Sequence, residues 1–163
     1  NILQENQNNF KAEIANDNSE GQMVLSGKIK DLENLSFFLK KLKIKNVRLP
    51  VSAPFHCSLM SKATEIMKKE LEKLKFKKGT NPLISNITAD EIFNADELKN
   101  LLIKQIENKV RWRESVINMI NKGVNQFIEI GPGKVLSGLV KRINKEVYVS
   151  SINSEEEIKK IKI

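Results

Sequence analysis

Apolar residues recur along the chain in two rhythms, alternation over four to six residues and helical spacing over ten or more. The polar run Asn16-Asp17-Asn18-Ser19-Glu20-Gly21 precedes Gln22-Met23-Val24-Leu25-Ser26, a strand-like segment stopped by Gly27. Leu32, Leu35, Phe38, Leu39 and Leu42 then mark an amphipathic helix with lysines on its far side. Asn46 to Val51 predicts an extended strand, at an edge or end because Pro50 lacks an N–H to give to a ladder. Leu59, Met60, Ala63, Met67, Leu71 and Leu74 form the next helical stripe, read as a core face, and Pro82 to Asn86 a short strand. Two further helices follow, marked by Leu98, Leu101, Leu102 and Ile106, then by Trp112, Val116, Met119 and Ile120. Phe127 to Ile130 predicts a strand ended by Gly131-Pro132-Gly133, with a helix from Val135 to about Ile143 behind it. Val147 to Ser150 gives a last strand before a charged terminal helix. The opening, Asn1 to Phe10, is polar and helix-tolerant but has no capped start.

Strands separated by helices predict an α/β architecture with parallel pairing in the second part. The composition shift near Pro50 places a lobe boundary there, dividing residues 1–50 from 51–163. No apolar run approaches a membrane span, so neither a membrane partner nor a membrane location is expected, and the expected location is cytoplasmic. Cys57 is the sole cysteine and His56 the sole histidine, which excludes an internal disulfide, a cysteine-based zinc site and any site needing two imidazoles. No metal and no cofactor are expected. The net charge of +8 fits an acidic partner, nucleic acid or anionic lipid. Only Arg48, Arg111, Arg113 and Arg142 are arginines and aromatic content is 6%, a poor match to the forks and stacking platforms of nucleic-acid readers.

His56 stands between a strand-like run and a helix, a position where α/β proteins place reactive groups, and imidazole exchanges protons near neutral pH. A general base still needs a nucleophile and an orienting acceptor, and spacing alone identifies neither. Cys57 invites a Cys–His pair, although neighbours on one turn rarely face each other and a buried cysteine is the commoner outcome. Gly131-Pro132-Gly133 before a helix offers N–H groups to an anion, but it lacks Walker or dinucleotide spacing and reads better as a tight turn.

Four segments together resemble the malonyl-CoA:acyl carrier protein transacylase family. Ser52-Ala53-Pro54-Phe55-His56-Cys57-Ser58-Leu59-Met60 is similar to its active-site histidine motif. Gln105 with Val110-Arg111-Trp112 resembles its Q-x-x-x-P-V-x-W segment, with Lys109 in the place of proline. Phe127 to Leu139 resembles E-[IV]-G-P-G-x-V-L-x-G-L, and Asn16 to Gly27 resembles N-x-N-S-P-G-Q-x-V-[IL]-[SA]-G, with Glu20 replacing proline. The four occur in the family's order and reach from Asn16 to Leu139.

The resemblance implies a partial ferredoxin-like small lobe over residues 1–50 and the C-terminal part of an α/β-hydrolase-like domain over 51–163. It implies transfer of malonyl from malonyl-CoA to the phosphopantetheine thiol of acyl carrier protein, in fatty acid biosynthesis, through an acyl-serine. The family's G-H-S-x-G nucleophile elbow does not occur here, so the chain is expected to be a fragment whose partner is the missing N-terminal half, and to be inactive alone. A non-catalytic remnant or carrier-protein-binding module is the alternative. Carried over residue by residue, His56 is the base and Gln105 the residue whose backbone carbonyl holds its ring. Asn18 and Gln22 match positions lining the pantetheine channel, and Phe55 resembles the bulky neighbour of malonyl-selective members. Lys40, Lys41, Lys43 and Lys45 become candidates for steering an acidic carrier protein.

Overall fold

A computed structural model describes residues 10–159, so residues 1–9 of the helix-tolerant opening lie outside the described residues. The first element is a hairpin: β1 (Ala12–Ser19) pairs antiparallel with β2 (Gln22–Gly27). Its two-residue turn needs positive φ at Gly21, which sits at 72°. Gly27 closes the far end because a Cβ there would lie 2.8 Å from the Lys11 carbonyl oxygen. Helix α1 (Ile29–Lys41) follows, seating Leu35 in the interior and leaving its lysines in water.

Residues 42–57 carry no strand, which corrects the extended strand expected over Asn46 to Val51. Val47 and Val51 are exposed, and the Val51 N–H turns back onto the Leu49 carbonyl instead of a neighbouring chain. A single 3₁₀ turn, Ser58–Met60, then leads into α2 (Ser61–Glu72). The stripe read here as a core face is only partly covered: Met60, Ala63 and Leu71 are half-buried, Leu59, Met67 and Leu74 are exposed, and no residue of α2 is buried.

The antiparallel pair β3 (Leu83–Ile84) and β4 (Glu91–Ile92) precedes α3 (Ala95–Gln105). Asn94 caps α3, its side-chain oxygen accepting from the N–H groups of Asp96 at 2.8 Å and Glu97 at 3.0 Å. Helix α4 (Trp112–Asn121) leads into a second half built as β5 (Gln126–Ile130), α5 (Val135–Ile143) and β6 (Tyr148–Ile152). β5 and β6 run parallel in unbroken register from Gln126↔Tyr148 to Ile130↔Ile152, so the expected parallel pairing is present. The short helix α6 (Glu155–Ile158) is capped by Ser154. The chain is thus a mixed α/β protein.

Val116, Val140 and Val147 form the buried centre of this half, with Trp112, Met119, Ile120, Phe127, Ile143 and Val149 packed around them. The hairpin is tied to the same half. Ala15 and Asp17 of β1 exchange backbone hydrogen bonds with Val110 at 2.8 and 2.9 Å, a short parallel bridge just before α4. Beside it the buried Asp17 carboxylate takes both forks of the Arg113 guanidinium, at 2.9–3.3 Å. None of the helices among the described residues is long and apolar enough to cross a membrane.

Candidate active site

His56 lies in the loop between residue 42 and α2, with a left-handed φ of 57°. A non-glycine residue in the left-handed region costs energy and persists where its surroundings fix it. Three anchors do so here. Within the loop, the Cys57 thiol donates to the Pro54 carbonyl at 3.1 Å, burying the sulfur completely. After the loop, the Ser58 N–H donates to the Glu13 carboxylate of β1 at 3.1 Å, and the Ser58 hydroxyl donates to the same group. The third anchor is the ring itself, whose Nδ1 lies 2.9 Å from the Gln105 carbonyl oxygen at the end of α3.

A carbonyl oxygen only accepts, so Nδ1 carries the proton of the neutral ring. The lone pair then resides on Nε2, the nitrogen turned away from this anchor. The Gln105 side-chain amide makes its short bond elsewhere, donating to the Asn108 carbonyl at 2.9 Å and stiffening the segment after α3, while its Nε2 lies 3.5 Å from His56 Nδ1, a longer contact than the carbonyl's. His56 is half-buried.

The other expected positions fall in two places. Phe55 is exposed beside His56. Asn18 and Gln22 are half-buried at the tip of the hairpin, where Ser19 pairs with Gln22. The Gln22 side-chain oxygen accepts from the Arg142 guanidinium of α5, so the hairpin tip is tied to the second half rather than to His56. Arg142, counted in the sequence only as charge, Asp17, hidden in a polar run, and Glu13, set between Ala12 and Ile14, are the contributors that sequence reasoning missed. No composition or spacing signal marks Glu13.

The segment resembling Q-x-x-x-P-V-x-W is held on both sides. The Arg111 N–H donates to the Asn86 carbonyl at 3.0 Å, while its guanidinium donates to the carbonyls of Ile87 and Thr88 at 3.1 and 3.0 Å and meets Glu114. The Gly131-Pro132-Gly133 turn spends its donors internally. Glu129 accepts from the N–H groups of Leu136 at 3.1 Å and Ser137 at 2.7 Å, and the Gly133 N–H donates to the Asn153 side chain at 2.6 Å. The Ser137 hydroxyl and N–H hold the Glu129 carboxyl below its ordinary pKa. A carboxylate of the chain itself therefore fills the α5 N-terminus, where an anion was considered. No group of three His, Cys, Asp or Glu among the described residues is arranged to hold a metal.

Fold and site together define an α/β protein that carries a histidine oriented by a backbone carbonyl. The chain is 42% identical over 147 residues to the malonyl CoA-acyl carrier protein transacylase of Bacillus subtilis (strain 168), matching 90% of this chain and 46% of that protein. The solved malonyl CoA-acyl carrier protein transacylase of Clostridium perfringens superposes with a TM-score of 0.90 at 38% identity, covering 98% of this chain and 50% of that one. A malonyl-transacylase solved in complex with its type II PKS acyl-carrier protein superposes at 0.88 with 32% identity, covering 96% of this chain and 51% of that one. No family model matches the chain. By these relationships the chain belongs to the malonyl CoA-acyl carrier protein transacylase family, and it spans about half the length of the curated relatives it matches.

Proposed function

We propose that the chain provides the general base of a malonyl transfer from malonyl-CoA to the phosphopantetheine thiol of an acyl carrier protein, in fatty acid biosynthesis. The observation that carries this reading is the His56 Nδ1–H on the Gln105 carbonyl at 2.9 Å, which leaves Nε2 as a base of fixed direction. A serine hydroxyl gives its proton to Nε2 as its oxygen attacks the thioester carbonyl. The carbon–sulfur bond breaks, and the imidazolium returns the proton to the departing CoA sulfur. The carrier thiol then repeats the sequence on the malonyl-serine, releasing the serine. The nucleophile belongs to polypeptide other than these 163 residues, in keeping with a chain that matches 46% of its Bacillus subtilis relative.

On this reading Gln105 is a positioning residue that acts through its backbone. Asn18 and Gln22 offer amide partners to the pantetheine arm, and the Phe55 ring beside His56 leaves little room for an α-methyl group. The exposed Lys40, Lys41, Lys43 and Lys45 steer the acidic carrier protein. Residues 1–50, of which 1–9 lie outside the described residues, are read as part of a ferredoxin-like lobe and 51–163 as the C-terminal part of a hydrolase-like domain, a division that rests on the composition shift near Pro50 and on the motif resemblance.

The test combines this chain with the complementary half of the Bacillus subtilis relative and follows malonyl-serine formation by mass spectrometry. Transfer is expected with the pair, with neither half alone, and His56→Ala should lower its rate by about 10²–10⁴-fold. Retention of carrier protein without any malonyl-serine would instead identify a binding module.

A further inference from the structure

We infer that β1 is the jig that sets His56 against its carbonyl, and that Glu13 is a positioning residue for the base. The inference rests on the reading of His56 as that base. The two partners in the ring's hydrogen bond are 49 residues apart in the chain, and each is held by the same strand. On the histidine side, the Glu13 carboxylate takes the Ser58 N–H at 3.1 and 3.3 Å and the Ser58 hydroxyl, two residues beyond His56. On the carbonyl side, Ala15 and Asp17 bond to Val110 at 2.8 and 2.9 Å, at the end of the segment that leaves Gln105. That segment is itself stiffened by Gln105 donating to Asn108 at 2.9 Å and Asn108 donating to Lys104 at 2.7 Å. Residues 13, 15 and 17 therefore fix both ends of the distance between the ring and the oxygen that orients it.

Glu13 is the adjustable end of this jig. The bonds of Ala15 and Asp17 to Val110 are backbone and survive substitution, whereas the link from β1 to Ser58 exists only through the Glu13 side chain. His56 holds a left-handed φ of 57°, a conformation that is costly for any residue with a Cβ. Without the clamp on Ser58 the loop is free to relax toward commoner backbone angles. The ring would then leave the Gln105 carbonyl, and the proton would no longer be confined to Nδ1.

Because His56 is the only histidine of the chain, its imidazole gives a single set of ¹⁵N resonances that report the tautomer directly. The measurement uses the full chain at a pH where the ring is neutral. The native chain is expected in the Nδ1–H form, and Glu13→Ala should lower the Nδ1–H to Nε2–H ratio by about fivefold, the factor that one net hydrogen bond sustains. Glu13→Gln keeps an acceptor oxygen for Ser58 and should restore most of the native ratio. Ser58→Ala removes the hydroxyl arm alone and should fall between, which keeps the test available if Glu13→Ala does not fold. Glu129→Ala, which uncaps α5, controls for loss of stability and should leave the ratio native. A folded Glu13→Ala chain with the native ratio overturns the inference, as does a Glu129→Ala chain that shifts equally. None of these readouts requires acyl transfer, so a failure of the proposed reaction is distinguished from a failure of the jig.

Discussion

At position 56 backbone and side chain are fixed by different partners, and the chemistry follows from keeping them separate. The ring is oriented by a main-chain oxygen, which no side-chain substitution at residue 105 removes. Gln105→Ala should therefore keep the Nδ1–H tautomer while losing the amide bond to Asn108, at a cost of about 1 kcal/mol in stability. Thermal melts and the histidine ¹⁵N shifts measure the two effects independently. A tautomer change in Gln105→Ala would show that the side chain, not the carbonyl, orients the ring. His56 stood out in the sequence because it is unique, and Gln105 because a spaced motif singled it out. Glu13 did neither, since a single acidic residue between Ala12 and Ile14 carries no mark of a partner 45 residues away.

Among the elements, those with a repeating apolar face were legible and those built on polar contacts were not. The five-residue strand β5 and helices α1, α3, α4 and α5 lie where apolar spacing put them. β1 escaped notice because its buried positions are Ala15, Asp17 and Ser19, so the alternation that identifies a half-buried strand is written in small and polar side chains. The converse error fell on Asn46 to Val51, whose β-branched residues have no neighbouring strand to join.

Polar ties between elements also give pH-dependent predictions. Lys122 at the end of α4 bonds to Asp90 at 2.8 Å, and with the Glu91 N–H and Asn118 it lowers the Asp90 pKa from 3.8 to about 2. The folded value lies below the unfolded one, so this contribution to stability is complete above pH 3.8 and is lost as pH falls toward about 2. Lys122→Ala should return the Asp90 titration toward its ordinary range, as followed by carboxyl NMR, and should flatten the acid limb of the stability curve. Glu129 follows the same sign, with the Ser137 hydroxyl as the main cause of its lowered value. Glu129→Gln should lower the melting temperature at neutral pH and lose that difference in acid. A difference of equal size at both pH values would show that charge plays no part in capping α5.

Across the whole molecule, two kinds of surface stand out. Ile130, Val135 and Tyr148 are each more than 70% exposed, and all three belong to the parallel pair β5–β6 or its connection. Apolar groups this open favour association. Ile130→Lys should lower the self-association of the chain in sedimentation velocity, and an unchanged distribution would remove this end of the sheet as its cause. The second surface is the run of exposed lysines from Lys40 to Lys45, two of them after the end of α1. If they steer a carrier protein, the association rate should fall as ionic strength rises and screening shortens their reach. A rate independent of salt would assign those lysines to solvation.

The Asp17–Arg113 pair joins residues 96 positions apart, and its carboxylate is buried while its guanidinium is partly open to water. Asp17→Ala should cost about 1–2 kcal/mol, below the figure for a fully buried pair because water screens the arginine. The pair also has a kinetic consequence. Helices α3 and α4 can form from local contacts, but the link from β1 to Val110 and Arg113 requires a long loop to close, which is entropically expensive and slow. Glu13 reaches Ser58 from a strand whose position against α4 depends on that closure. The orientation of His56 should therefore be among the last features acquired in folding, after most helical signal has been recovered. In refolding followed by circular dichroism and histidine NMR together, the helices should return first and the Nδ1–H tautomer only with the slowest phase.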